Sequence, residues 1–204
     1  MTRHSRLDLS LIASLIPKGS SALDIGCGDG ELLRLLKDSR DVRGFGLEIE
    51  AQAVNRAVAS GLSVVQGNAN TDLGDYPEQA FDTVILSNSV QALLHPDEAL
   101  KAALRIGKQA IVSFPNFGHW QLRWHLLTKG TMPQSRSLPA TWYNTQNIHL
   151  CTIKDFITFA KERNFTIHKA YGLGADEQPR RFDPNQAFRA NLFSEAALFI
   201  LSRP

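Results

Sequence analysis

The stretch Ala22-Leu23-Asp24-Ile25-Gly26-Cys27-Gly28-Asp29-Gly30-Glu31-Leu32-Leu33 decides the fold. A short apolar strand runs into three glycines at alternate positions, and a helix-like run, Leu32–Leu36, follows. Glycines let the backbone turn sharply and let a ligand sit against the main chain. The helix N-terminus behind them leaves unpaired N–H groups. A loop that cradles a dinucleotide pyrophosphate reads G-x-G-x-x-G. Counted from Gly26, its third glycine falls at Glu31, so this loop is instead G-x-G-x-G, with Asp24 two residues ahead. A carboxylate inside an apolar strand must be paired or bound to backbone donors, so Asp24 is expected to brace the loop, to bind ligand, or both.

Outward from this point, strand and helix patterns alternate, which predicts an α/β fold with a mostly parallel sheet covered by helices on both faces. Apolar residues at helical spacing run from Leu7 to Ile16 and stop at Pro17-Lys18-Gly19. Strands are expected at 22–25, 42–49, 63–66, 81–86 and 109–114, the second kept short by Gly44 and Gly46. Helices are expected at 31–37, 50–60 (stopped by Gly61) and 96–104. The nearly all-apolar run Phe81–Leu86 reads as a central strand. Beyond Pro115 the pattern changes, and 116–150 reads as an insertion after the fifth strand: a helix near His119–Leu127, then a loop. Thr152–Arg163 reads as a helix with Thr152 as N-cap. Phe165–Ala170 and Ala196–Leu201 read as a last strand pair, with a polar loop from Gly172 to Asn191 between them. Residues 1–204 are read as one domain, a length that allows a sizeable core.

Glu48 closes the second strand, where an acid can accept hydrogen bonds from both hydroxyls of a ribose. Glu50 is the alternative. Gln66-Gly67-Asn68-Ala69 follows the third strand, and Leu86-Ser87-Asn88-Ser89 ends the fourth, at the edge where a ligand crevice opens. No acid lies between Leu86 and Pro96. His95 is the nearest candidate base, although a histidine before Pro-Asp reads more simply as a helix-start residue. No catalytic residue is assigned.

The insertion holds Trp120, Trp124 and Trp142, three of the six histidines (His119, His125, His149), and no acidic residue. Trp120 and Trp124 share a helical face that Leu127 continues; they read as a lid or core cover, or as anchors for a partner. His149 is a candidate for closing the pocket. The chain carries 22 Lys+Arg against 20 Asp+Glu, too balanced to argue for nucleic acid or a membrane surface. Residues 1–116 hold 11 basic and 14 acidic residues, and 117–204 hold 11 and 6, a mild basic bias toward the end. Cys27 and Cys151 have no metal-ligand spacing, so no metal is expected and both read as free thiols in a reducing cytoplasm. The start has no apolar signal core, and no apolar run approaches the ~20 residues that cross a bilayer.

The glycine motif, Glu48, Asn68 and Phe81–Leu93 resemble class I S-adenosylmethionine (SAM) methyltransferases. The resemblance implies a Rossmann-like sheet of about seven strands, the last antiparallel and inserted near one edge. It implies a site for SAM or S-adenosylhomocysteine over Asp24, Gly26, Cys27, Gly28, Gly30, Glu48, Ile49, Asn68, Ala69 and Asn88. In that family the acid at the position of Asp24 orients the loop and sits near the amino group of the methionine part. An acid usually stands where Asn68 does, contacting the adenine amino group; the Asn68 amide oxygen can still accept that bond, and its NH2 can donate to a ring nitrogen. Further along, Ser113-Phe114-Pro115-Asn116-Phe117-Gly118-His119-Trp120, Asn147-Ile148-His149-Leu150-Cys151-Thr152 and Arg189-Ala190-Asn191-Leu192-Phe193 resemble the MetW family of methionine biosynthesis proteins. That resemblance implies a SAM-binding accessory partner of homoserine O-acyltransferase (MetX). The alternative is a SAM-dependent methyltransferase of a small molecule, and methyl transfer from a sulfonium can run mainly on positioning.

Overall fold

A computed structural model describes residues 3–176 and 178–204, with side chains from residue 8 onward. Eight strands form one sheet: β1 (Ser21–Ile25), β2 (Arg43–Glu48), β3 (Ser63–Gln66), β4 (Phe81–Ser87), β5 (Gly107–Pro115), β6 (Thr166–Leu173), β7 (Pro179–Arg181) and β8 (Ala196–Ser202). Their order is β3-β2-β1-β4-β5-β8-β6-β7. The first five are parallel, and β8 enters antiparallel between β5 and β6. β1 is central, so the glycine loop leaves the sheet where the strand order reverses, the place at which α/β sheets open a crevice.

Alternation along the strands divides the core. Leu23, Val84, Leu86, Val112 and Phe199 face one side, and Ala22, Ile85, Ile111, Leu198 and Ile200 face the other. Helices α4 (Pro96–Ile106) and α6 (Ile153–Glu162) cover the first side. Helices α1 (Arg3–Leu15) and α2 (Glu31–Arg40) cover the second, and α3 (Ala51–Ala59) packs with α2 over the β2–β3 edge. Thr152 caps α6 as expected, in a reciprocal box with Asp155: Asp155 N donates to Thr152 Oγ1 (3.2 Å) and Thr152 N to Asp155 Oδ2 (2.9 Å).

Two expectations need correction. Gly44 and Gly46 lie inside β2 and do not shorten it. They let α2 approach the sheet: a Cβ on Gly46 would stand 2.5 Å from Cys27 Sγ and 2.9 Å from a Leu33 methyl. The segment 172–191 is not a loop. It completes β6 and adds β7, a 3-10 turn (Pro184–Gln186) and helix α7 (Phe188–Phe193). β7 reads Pro-Arg-Arg, all exposed, a short charged edge strand that no apolar pattern reveals. It raises the strand count from about seven to eight.

After β5 the insertion forms α5 (Trp120–Lys129) and then runs without regular structure to α6. Its entry and exit are fixed by Asn116, which is fully buried. Asn116 Nδ2 donates to the carbonyls of Asn191 (2.9 Å) and Ser194 (2.8 Å), while Oδ1 accepts from Gly118 N (3.0 Å) and Ile153 N (3.1 Å). One amide therefore joins the end of β5, the start of α6 and the end of α7.

Candidate functional site: a cleft at the carboxyl edge of the sheet

The glycine loop is stitched to the end of β2. Gly26 N donates to Leu47 O (2.8 Å), Gly28 N donates to Glu48 Oε2 (2.8 Å), and Gly67 N, past β3, donates to Glu48 O (2.9 Å). Gly26 and Gly30 both sit at φ 77°, in the left-handed region. A Cβ on Gly26 would come within 3.0 Å of Ser89 Cβ, and one on Gly30 within 2.4 Å of a Leu62 methyl, so backbone and space both demand glycine. Gly28 faces open space.

These strand ends frame a cleft of about 240 Å³, lined by Gly26, Glu48, Ile49, Asn68, Ala69 and Asn88 among the predicted residues. Leu47, Gly67, Asn70, Ser87, Ser89, Ala92, Leu93 and Gln146 also line it. Asp24, Cys27, Gly28 and Gly30 stand outside that lining. Gly30 is the N-cap of α2. Cys27 Sγ turns away into the core formed with Leu33, Val54 and Val64. Burial, together with Asp24 and Glu48, pushes its thiol up to about 12, so it stays protonated. Cys151, raised by burial to about 11, is equally inert. Asn88 holds φ 53° at the tip of β4, a conformation asparagine tolerates better than most residues.

Asp24 is 2% exposed, and its Oδ1 has no hydrogen-bond partner. Burial, then the Glu48 charge, raise its carboxyl from 3.8 to about 7. The folded protein thus holds this proton more tightly than the unfolded chain does. The group's contribution to stability is complete below pH 3.8 and is lost as pH climbs to about 7. Asp24→Asn should therefore gain stability relative to wild type between pH 5 and pH 8. Urea unfolding at the two pH values reads this directly, and a pH-independent difference would refute it.

Two site expectations change, for Asn68 and for the tryptophans, and one holds, for His95. Asn68 Oδ1 is already taken by Asn70, whose backbone N (2.9 Å) and Nδ2 (3.0 Å) both donate to it. Only the Asn68 NH2 remains to face a ligand. His95 is the exposed residue before α4, outside the cleft, as the helix-start reading has it. Trp120 and Trp124 neither cover the core nor close the cleft: they are 45% and 61% exposed. The residue that reaches the cleft from the insertion is Gln146. Behind it, the amides of Ile148 (2.9 Å) and His149 (3.0 Å) donate to Gln91 O, which ties the insertion to the wall after β4. The His149 ring lies 3.3 Å from Leu94 O and fastens the same wall from outside. Nothing in the sequence pairs Gln146 with Asn88; only the tertiary path of the insertion does.

Among the described residues, no cluster of His, Cys, Asp and Glu has the form of a metal site, and no helix is long and apolar enough to cross a membrane. In shape, the chain resembles a SAM-dependent methyltransferase from Thermotoga maritima, with TM-score 0.72, 16% identity and coverage of 98% of this chain and 89% of that one. It also resembles the [4+2]-cyclase SpnF, with TM-score 0.67, 16% identity and coverage of 98% and 81%. The fold thus hosts unlike chemistries and does not assign one. In sequence, the chain is 32% identical over 206 residues to a bifunctional methionine biosynthesis protein MetXA/MetW from Rhodopirellula baltica. The match takes in 97% of this chain but only 33% of that longer protein. The family model for methionine biosynthesis protein MetW matches residues 6–201, almost end to end, and the chain belongs to the MetW family.

Proposed function

We propose that the cleft binds SAM or S-adenosylhomocysteine and that the protein is an accessory partner of homoserine O-acyltransferase (MetX) in methionine biosynthesis. The observation that carries the ligand is the cleft at the strand tips, walled by the Glu48 carboxylate and the Asn68 amide, with an open main-chain face at Gly28 and an unpartnered buried Asp24 oxygen just behind its lining. Each Glu48 oxygen accepts one backbone N–H, from Gly28 (2.8 Å) and Glu50 (2.9 Å), and keeps lone-pair capacity for a ribose hydroxyl. A cationic methionine end bound beside Asp24 would favour the charged form of its carboxyl, which burial otherwise raises to about 7. The Asn68 NH2 donates to an adenine ring nitrogen. SAM supplies an electrophilic methyl group when bound.

Among the described residues no histidine, lysine or cysteine lines the cleft, and the side chains at its β4 wall are Ser87, Asn88 and Ser89. That wall can position a ligand but offers no base, which favours a binding role. The partner reading is supported by the relative in which MetXA and MetW parts share one chain. The second reading, methyl transfer to a small acceptor, draws on the methyltransferase among the structural neighbours and on an unobstructed β4 tip.

Calorimetry with SAM and S-adenosylhomocysteine tests the ligand. Glu48→Ala should weaken binding by about 1.5–3 kcal/mol, the range for hydrogen bonds to a charged group. Unchanged affinity would move the ribose elsewhere, and no binding to wild type would remove the ligand. Co-purification with the acyltransferase, followed by acylation assays with and without this protein and SAM, tests the partner. Methyl transfer in the absence of any effect on acylation would favour the second reading.

A further inference from the structure

Helix α5 is built the wrong way round for a covering helix. Its buried residue is Leu122, 2% exposed, while Trp120, Trp124 and Leu127 are 45%, 61% and 78% exposed. At 3.6 residues per turn these three form one stripe on the flank opposite Leu122. Large apolar side chains on the solvent side of a helix mark an interaction site, not packing. Arg123 lies beside the stripe, and its Nε donates to Gly118 O at 2.6 Å, so the guanidinium is held in place before any partner arrives. Residues 116–150 contain not one acidic residue; of their cations Arg123 stands by the stripe, whereas Lys129, nine positions after Trp120, falls on the Leu122 side of the helix and Arg136 shares a pocket with Leu122 and Glu195.

We infer that the Trp120–Trp124–Leu127 stripe is the docking surface for the partner protein, and that it enters an apolar pocket rimmed by Asp or Glu side chains. This rests on the reading above that the partner is the acyltransferase. Tryptophan and arginine are the residues that most often anchor interfaces. An arginine fixed beside an apolar stripe calls for an acidic group on the partner, which would also steer the encounter. A second copy of this chain fits poorly: a two-fold contact sets the same patch against itself, so Arg123 would face a surface without an acid to pair. A bilayer fits poorly too, because a stripe of three residues on a ten-residue helix buries little apolar area.

The test is surface plasmon resonance of the full chain on immobilised homoserine O-acyltransferase, with Trp124→Ala, Trp120→Ala and Arg123→Glu. Val58→Ala, an exposed site on α3, is the control. Circular dichroism and melting checks confirm that each variant is folded. Trp124→Ala should weaken binding at least about 30-fold, the ratio that ~2 kcal/mol represents. Arg123→Glu should slow association and flatten its salt dependence. SAM affinity should match wild type throughout. Wild-type binding in both tryptophan variants would overturn the docking surface and leave the partner intact. No complex with wild type would overturn the partner reading, and this occupant with it. A SAM affinity that falls with Trp124→Ala would make the stripe a lid. A wild-type dimer in sedimentation, or binding to anionic phospholipid vesicles, that Trp124→Ala abolishes would assign the stripe to those occupants instead.

Discussion

Asn116→Ala should lower the stability of the protein by about 3–5 kcal/mol. The side chain is 0% exposed and makes four hydrogen bonds, all to backbone groups. Alanine leaves two carbonyls and two N–H groups without partners in a buried place. Each unsatisfied group costs about 1–3 kcal/mol; water entering the vacated space offsets part of the sum, and the remainder lies at the top of the range for single substitutions. Asn116→Asp is the informative companion, because it keeps the acceptor and loses both donors. Urea unfolding followed by circular dichroism gives the numbers. A loss under 1 kcal/mol for alanine would mean that the three segments meeting at Asn116 are held by something else.

Phe199→Ala should cost a similar amount, about 3–5 kcal/mol, the usual range for deleting a buried aromatic ring. Phe199 sits at the centre of β8, 0% exposed, with the Phe156 ring 4.7 Å away, Phe114 stacked at 5.9 Å and Phe182 edge-on at 6.0 Å. The contacts come from β5, from α6 and from the residue just past β7, so no single neighbour can shift to fill the hole. Phe199→Leu, which retains most of the volume, should recover more than half of the loss. A cost below 1.5 kcal/mol for alanine would show that the aromatic cluster collapses around the vacancy.

The parallel half of the fold was legible because its signals are local. Val84–Leu86 is apolar since both faces of β4 are covered, and the glycines stand where φ is positive or a helix comes close. Glu48 was legible for the same reason: a strand tip has a fixed relation to the loop beside it. Illegible features lacked a local pattern that shows them. Asn68 looked like an acceptor for a ligand, but Asn70, two residues on, takes its oxygen. Gly44 and Gly46 looked like breakers because the Leu33 and Cys27 side chains that need their space come from another element. β7 carries no apolar residue to detect. The Asn116 motif was visible as an unusual string, while its reason, a buried amide serving three segments, needed coordinates.

The place of β8 has a consequence for synthesis of the protein. β5 and β6 are made earlier, yet they never touch each other; each must wait for Ala196–Ser202, which pairs with both. While the nascent chain is incomplete, two long strand edges lie open, one of them the apolar run Ala110–Phe114. Open apolar edges recruit strands from other chains, and contacts between distant segments form late. A ribosome stalled before Ala196 would hold a polypeptide primed to aggregate, and a chaperone that shields the β5 edge would act during that interval.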